Sequence, residues 1–427
     1  MIRRHARVLP LIAYAALIAD PAFADGAMPV YPANAKLSAQ KLERITDFLN
    51  AEVTNSKISG AVVLIQHRGK PAYFKSFGKI DTVSGEPMTP QAIFRIHSMT
   101  KPVTAVAALT LVDEGKLKLD DPLSKYIPSF ASTQVGVETK AENGEAVLKL
   151  VPQDRPITIG DLLRHSSGIT YGFYGSSLVR KAYSNANLFA ESLDNAAFAE
   201  KIAQLPLAEQ PGTLWDYGHS MDVLGRVIEV VSGKSLYEFE KEHLFGPLGM
   251  TDTSYYVADP KKHHLIAEPL PSDSDFRTGR SKDPRVPTKW ESGGGGLLTT
   301  IGDFSHFAQM LLNRGEFDGR RILSPQTFKA MTTNQIVPDG PIDRREFYFP
   351  GDGFGYGLGI GVRVTAGTAN PPPSGSLGEL KWDGAGGTYF WIDPVQDMFV
   401  VLMIQSPTER GPVHRALKPM VYDALEP

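Results

Sequence analysis

Ser98-Met99-Thr100-Lys101, continued by Pro102-Val103-Thr104-Ala105-Val106-Ala107-Ala108-Leu109-Thr110-Leu111-Val112, is the stretch from which the rest of this chain is read. The apolar run predicts a helix that opens at Ser98 and ends at Gly115, a residue that reaches the left-handed conformation at low cost. Ser98 stands where a helix N-cap is expected, and Pro102 is tolerated in the first turn. Positions i and i+3 share a helix face, so the Ser98 hydroxyl and the Lys101 amine meet. With almost no polar face, the helix is expected to be buried between domains. Burial and the positive helix N-terminus both disfavour a charged Lys101. A neutral amine can take the hydroxyl proton and make Ser98 a nucleophile. The plainer alternative is a capping serine with an exposed lysine, which sets a cation at the wrong end of the helix dipole. S-x-x-K alone is a weak pattern and needs support elsewhere.

Working outward, residues 37–54 read as a helix with Leu42, Ile45, Phe48 and Leu49 on one stripe. Gly60 to His67 and Pro71 to Phe77 read as a strand pair turning at Arg68-Gly69. Toward the other end, Tyr356 to Val364, Glu379 to Ile392 and Met398 to Gln405 read as three more strands, and Val413 to Leu425 as a final helix. Between them the pattern is mainly helical, as in Val223 to Val231, Leu236 to Phe245 and Phe304 to Leu312. A second hairpin is expected at Glu138 to Leu150, turning at Asn143-Gly144. Strands at both ends with helices between predict an α+β fold. This is an α/β sandwich whose antiparallel sheet comes from both termini, plus an inserted helical domain. The expected boundaries are 25–97 and 321–427 for the α/β domain and 98–320 for the helical one, with the site at their interface.

The 427 residues suffice for such a core. Net charge is −3 with no basic block, so nothing points to nucleic acid. Cysteine is absent, which removes disulfides, thiolate metal sites and cysteine nucleophiles. Residues 1–24 read as a secretory signal: Arg3, Arg4 and Arg7, then apolar Val8 to Ala19, then Ala22-Phe23-Ala24 as a cleavage site. The expectation is a periplasmic or secreted protein that keeps no stable membrane anchor.

Two further segments support Ser98 and Lys101. One is Trp215-Asp216-Tyr217-Gly218-His219-Ser220; the other is Lys381-Trp382-Asp383-Gly384-Ala385-Gly386-Gly387-Thr388. With S-x-x-K they have the order and spacing of the three motifs of serine β-lactamases and penicillin-binding proteins. Phe94-Arg95-Ile96-His97, Leu119-Asp120-Asp121-Pro122, the 157–168 stretch Ile-Thr-Ile-Gly-Asp-Leu-Leu-Arg-His-Ser-Ser-Gly, Gly246-Pro247-Leu248-Gly249-Met250 and Gly293-Gly294-Gly295-Gly296 fit the same pattern. The chain therefore resembles that superfamily through nearly its whole length, and within it the class C β-lactamase-like esterases, the family VIII carboxylesterases. The resemblance implies a β-lactamase/DD-peptidase-like fold. It implies that Ser98 is acylated and that Tyr217 works with Lys101 as general base and then acid. The oxyanion donors it implies are the backbone N–H groups of Ser98 and Ala385. Such donors are each worth about 3 kcal/mol.

The departures from the family pattern also carry information. His219 stands where β-lactamases have the Asn that helps bind the lactam amide. Trp382 stands where they have a Lys that helps bind the carboxylate, and Asp383 adds a negative charge beside it. Trp382-Asp383-Gly384 resembles the W-x-G form of the esterase branch. The expected substrate is thus a small or medium, neutral, apolar ester bound near Trp382, Asp383, Gly384 and His219, with no cofactor. Tyr171, Phe173 and Tyr174 follow a turn and either line the acyl pocket or simply pack; Phe347, Tyr348, Phe349 and Phe354 share that ambiguity. The alternatives left open are a β-lactamase or D-amino-acid peptidase, an acyltransferase, and a non-catalytic binding domain. The resemblance also leaves weak cephalosporin cleavage open.

Other patterns have plainer readings. No G-x-S-x-G elbow exists. Gly233-Lys234-Ser235 reads as an interhelical turn, His263-His264 as a surface loop, Asp273 and Asp275 as exposed acids, and Asp120-Asp121-Pro122 as a capped turn.

Overall fold

The computed structural model describes residue 31 and residues 35–273, 283–336 and 350–427. The signal-peptide reading, Asp275, and Phe347, Tyr348 and Phe349 lie outside the described residues.

One seven-stranded antiparallel sheet organises the chain. Its strands in chain order are β1 (Gly60–His67), β2 (Lys70–Gly78), β3 (Phe354–Tyr356), β4 (Gly361–Arg363), β5 (Leu380–Asp383), β6 (Tyr389–Asp393) and β7 (Met398–Ile404). The spatial order is β3-β4-β5-β6-β7-β1-β2, so the two ends of the chain meet where β7 pairs with β1, from Met398 opposite His67 to Ile404 opposite Ala61.

Side chains alternate across this sheet. On β1, Ala61, Val63 and Ile65 face the helices α1 (Ala39–Thr54) and α5 (Arg410–Asp423), where they join Leu42, Leu49 and Val421 in one core. Val62 and Leu64 face the other way, into the larger core that runs beneath the helical layer. Each fully buried aliphatic side chain contributes about 1.5–3 kcal/mol relative to exposure. This two-sided burial is why the strands read as continuous apolar runs.

The helical layer centres on α2 (Thr100–Asp113) and α3 (Ser220–Ser232). α2 is buried from Thr100 through Leu111, and Gly115 follows it at φ 70°. α3 ends at Gly233, also left-handed at φ 70°. The hairpin at Val135–Lys140 and Ala146–Val151 turns through Gly144 as expected.

Several expectations need correction. Tyr356 to Val364 is not one strand: the chain reverses between β3 and β4, where Gly359 takes φ 82° and sits so close to α2 that a Cβ would lie 2.3 Å from that of Ala105. Glu379 to Ile392 likewise divides into β5 and β6 around a glycine turn. Leu236 to Phe245 is a short α-helix, Leu236–Glu240, continued by a π-turn. The helix α4 (Ile301–Leu312), assigned by sequence to the inserted domain, packs on β7, β6 and β1 and so belongs to the sheet layers. Asp273 is buried, not exposed, because Ser406 and Thr408 hydroxyls donate to its carboxylate. Among the described residues no helix is long and apolar enough to cross a membrane, and no three His, Asp or Glu side chains converge on a metal-sized site.

Candidate active site

Ser98 does not cap α2. It lies in a 3₁₀ turn, His97–Met99, and Met99 precedes the first α-helical residue with no side-chain cap. The Met99 N–H already bonds the Ile96 carbonyl at 3.0 Å, and His97 turns the chain at φ 44°. Holding a non-glycine residue there costs roughly 1–3 kcal/mol. The hydroxyl of Ser98 is thereby left for Lys101. Lys101 Nζ donates to Ser98 Oγ at 3.2 Å, to the Tyr171 hydroxyl at 3.1 Å and to the Gly294 carbonyl at 2.5 Å.

Lys101 is 0% exposed. Desolvation lowers its pKa to about 8, against the opposing charges of Asp222 and Asp383. Tyr217 is buried beside it, with Lys101 Nζ 4.7 Å from its ring centre. Burial pushes the Tyr217 phenol up, while contacts of its hydroxyl with the side chains of Ser98 and Trp382 oppose that shift. The Lys101 amine thus joins the Ser98 hydroxyl to the Tyr171 phenol, and the Tyr217 phenol reaches Ser98 directly.

The two tyrosines are held by a shared anchor. Arg180, 3% exposed, donates Nη2 to both carboxylate oxygens of Asp216 at 3.0 Å. Its Nη1 reaches the Thr170 hydroxyl and the Tyr171 carbonyl. Asp216 precedes Tyr217 and Thr170 precedes Tyr171, so one guanidinium fixes both loops. Gly218 lets them touch: a Cβ there would lie 2.2 Å from the Ile169 carbonyl oxygen.

The sheet contributes backbone. The turn after β5 presses on the segment before Ser98, since a Cβ on Gly384 would lie 2.3 Å from the Ile96 oxygen and one on Gly386 2.8 Å from the His97 ring. Ala385, in that turn, lines the same cavity as Ser98. Neither the Ser98 nor the Ala385 backbone N–H donates to a carbonyl among the described residues. Ala385 sits in the turn, beyond the end of the strand.

The cavity has a volume of about 470 Å³. Tyr171, Phe173, Tyr174, Phe189 and Trp290 form an aromatic wall, and His219 and Asp222 a polar one. Of the residues expected at the substrate, Tyr171, Tyr174 and His219 line the cavity; Trp382, Asp383 and Gly384 do not. Alternation along β5 explains this. Trp382 points into the larger core, 2% exposed, with ring centres 5.5 Å from Tyr217 and 5.1 Å from Tyr356, so it backs Tyr217. Asp383 points to the opposite face, where Arg410 Nη2 donates to it at 2.6 Å, so its charge is compensated. Gly384 serves the close approach to Ile96.

Sequence reasoning missed Asp222, Arg180, Phe189, Trp290 and the role of the Gly294 carbonyl. Asp222 accepts hydrogen bonds from Ser292 Oγ at 2.5 Å, Gly294 N at 3.1 Å and His219 Nδ1 at 3.0 Å. Burial works to raise its pKa, but the hydrogen bond from His219, the Lys101 cation and the Ser292 hydroxyl leave it lowered. The i, i+3 spacing of His219 and Asp222 on α3 was the available signal. Arg95, a cation at the cavity wall, is engaged by Glu268 at 2.9 Å.

The fold thus sets a partly buried serine, bonded to a fully buried lysine, on the wall of a cavity, and comparison with known proteins gives the family. A family model described as Beta-lactamase matches residues 44–419. The lovastatin esterase of Penicillium rubens is 33% identical over 303 residues, covering 69% of this chain and 73% of that protein. Esterase EstB of Burkholderia gladioli is 27% identical over 410 residues, covering 90% and 96%. Among solved structures, "EstCE1, a hydrolase with promiscuous acyltransferase activity" superposes with a TM-score of 0.71 at 25% identity, covering 90% of this chain and 98% of that one. The chain belongs to the beta-lactamase family, and it is a hydrolase of the β-lactamase fold that is similar to the family VIII esterases.

Proposed function

We propose that the protein is a serine carboxylesterase that hydrolyses small to medium neutral esters through an acyl-Ser98 intermediate. The observation that carries this reading is Lys101: fully buried, its pKa lowered to about 8, and 3.2 Å from the hydroxyl of Ser98, which lines the cavity. Lys101 takes the Ser98 proton as Oγ attacks the ester carbonyl. The N–H groups of Ser98 and Ala385 receive the oxyanion. Tyr217, whose hydroxyl reaches Ser98, passes the proton to the departing alcohol. Water then repeats the sequence on the acyl-enzyme. An aromatic wall and a cavity cation already engaged by Glu268 favour a neutral, apolar acyl group over a carboxylate. The named esterases among its relatives support the same choice.

Ser98→Ala is expected to lower p-nitrophenyl butyrate turnover by at least about 10⁴-fold, the scale seen when a triad member is removed. It should also abolish labelling by a fluorophosphonate probe. Turnover at the wild-type rate would remove Ser98 from the mechanism. A nitrocefin assay run beside it tests the β-lactamase reading.

A second reading, transfer of the acyl group to an alcohol, is favoured by the cavity, whose 470 Å³ leaves space for an acceptor beside a small acyl chain, and by the printed description of EstCE1. Product analysis with an added alcohol distinguishes the two.

A further inference from the structure

His219 is built differently from the rest of the cavity wall. It is 2% exposed, yet it lines the cavity. Its ring is packed against Tyr171, Phe198 and Phe189, with centres at 4.4, 5.3 and 5.9 Å. Those contacts hold its orientation. Its Nδ1 lies 3.0 Å from Asp222 Oδ2. Asp222 is a carboxylate whose lowered pKa keeps it ionised, and it can only accept. The Nδ1 atom therefore carries the proton, and in the neutral ring Nε2 is left as an acceptor. Nε2 has no hydrogen-bond partner among the described residues and is not sealed from the cavity. Asp222 is in turn fixed by Ser292 and by the Gly294 N–H, so the tautomer is set by a buried network.

An asparagine side chain would offer the substrate both a donor and an acceptor. His219 in this state offers an acceptor alone, in an otherwise largely aromatic surround. What satisfies it is an O–H on the bound molecule. An amide carbonyl, which needs a donor, is poorly served there.

We propose that His219 Nε2 is a specificity site for a hydroxyl group, and that the protein prefers esters carrying a free hydroxyl on the acyl or the alcohol part. This rests on the esterase reading above. A polar group left without its partner in a closed site is expected to set the discrimination at roughly 10- to 100-fold in kcat/KM.

The experiment compares ethyl hexanoate with ethyl 2-, 3- and 6-hydroxyhexanoate, and propyl hexanoate with 2-hydroxyethyl hexanoate. The first set places the hydroxyl in the acyl part, the second in the alcohol part. In the wild type at least one hydroxy ester is expected to exceed its hydroxyl-free counterpart by 10- to 100-fold. In His219→Phe, which keeps a ring but no acceptor, that ratio is expected to fall to near one. His219→Gln, which restores an acceptor, should recover part of it. A wild-type ratio of one or less across the panel overturns the proposal without any variant. So does a ratio that His219→Phe leaves unchanged. Ethyl hexanoate hydrolysis that survives Ser98→Ala overturns the esterase reading itself, whereas Ser98-dependent hydrolysis with an unaltered hydroxyl ratio overturns only the role of His219.

Discussion

The two sides of the site are made in opposite ways. On the helical side, Ser98, Lys101, Tyr217 and Tyr171 are placed by side chains: a buried guanidinium, a buried carboxylate and a set of hydrogen bonds at 2.5–3.2 Å. On the sheet side, the turn after β5 is placed by the lack of side chains, with glycines letting backbone approach backbone. Proton transfer needs groups whose charge states are tuned by surroundings. Oxyanion binding needs only N–H groups at a fixed position. The first arrangement is therefore sensitive to charge and burial, the second to a single methyl group.

The sharpest way to break the sheet side is Gly384→Ala. The added Cβ would meet the Ile96 oxygen at 2.3 Å, inside any real contact, so the turn must retreat from Ser98. A loss of roughly 10²–10³ in kcat is expected, the scale of one oxyanion donor, with little change in KM. Steady-state kinetics on p-nitrophenyl butyrate measure it; equal loss in Gly378→Ala, at a turn away from the site, would show that the effect is not positional.

On the helical side, Arg180→Met leaves Asp216 buried without its cation. Stability is expected to fall by about 3–5 kcal/mol, the cost of breaking one partner of a buried pair. Urea unfolding measures it. Asp216→Asn combined with Arg180→Met should recover part of the loss, since no lone charge is then buried.

The smallest and most diagnostic effect is that of pH. Lys101 must be neutral to act as base, so kcat/KM is expected to fall about tenfold per pH unit below pH 8 and to level off above it. The same shift has a stability sign. Folding lowers this pKa from 10.5 to about 8, so the unfolded state binds more protons between those values. The penalty for burying the charge is complete below about pH 8 and disappears as pH rises toward 10.5. Lys101→Met should accordingly be inactive yet melt at the wild-type temperature or above at pH 7, as expected where function is held at the expense of stability. Differential scanning calorimetry at pH 7 and pH 10 checks the sign.

The same contrast decides what could be read from the sequence. β1, β7 and α2 were legible because burial on all sides writes itself as unbroken apolar runs. The breaks between β3 and β4 and between β5 and β6 were not, because glycine turns lie inside runs that stay apolar on both sides. The spaced motifs did name three side chains, Ser98, Lys101 and Tyr217, that the fold brings together. Trp382 was found as a residue but placed on the wrong surface, since strand alternation could not be phased before the turn at Gly384 was known. Arg180 was invisible: its partners lie 36 residues away at Asp216 and 10 away at Thr170, and no local pattern links them. Asp273 read as exposed for the same reason, its partners being Ser406 and Thr408.

The pairing of β7 with β1 has a consequence for synthesis. During translation the β1–β2 hairpin emerges early with the β1 edge open, and its neighbour in the sheet is made only after the whole helical layer. Long-range pairing of this kind is slow and leaves an unpaired edge exposed. Ala385, which lines the same cavity as Ser98, also arrives late. The ribosome therefore makes almost the entire chain before the cavity can close, and a nascent chain stopped anywhere before β5 carries Ser98, Lys101 and Tyr217 without the sheet-side turn that faces them.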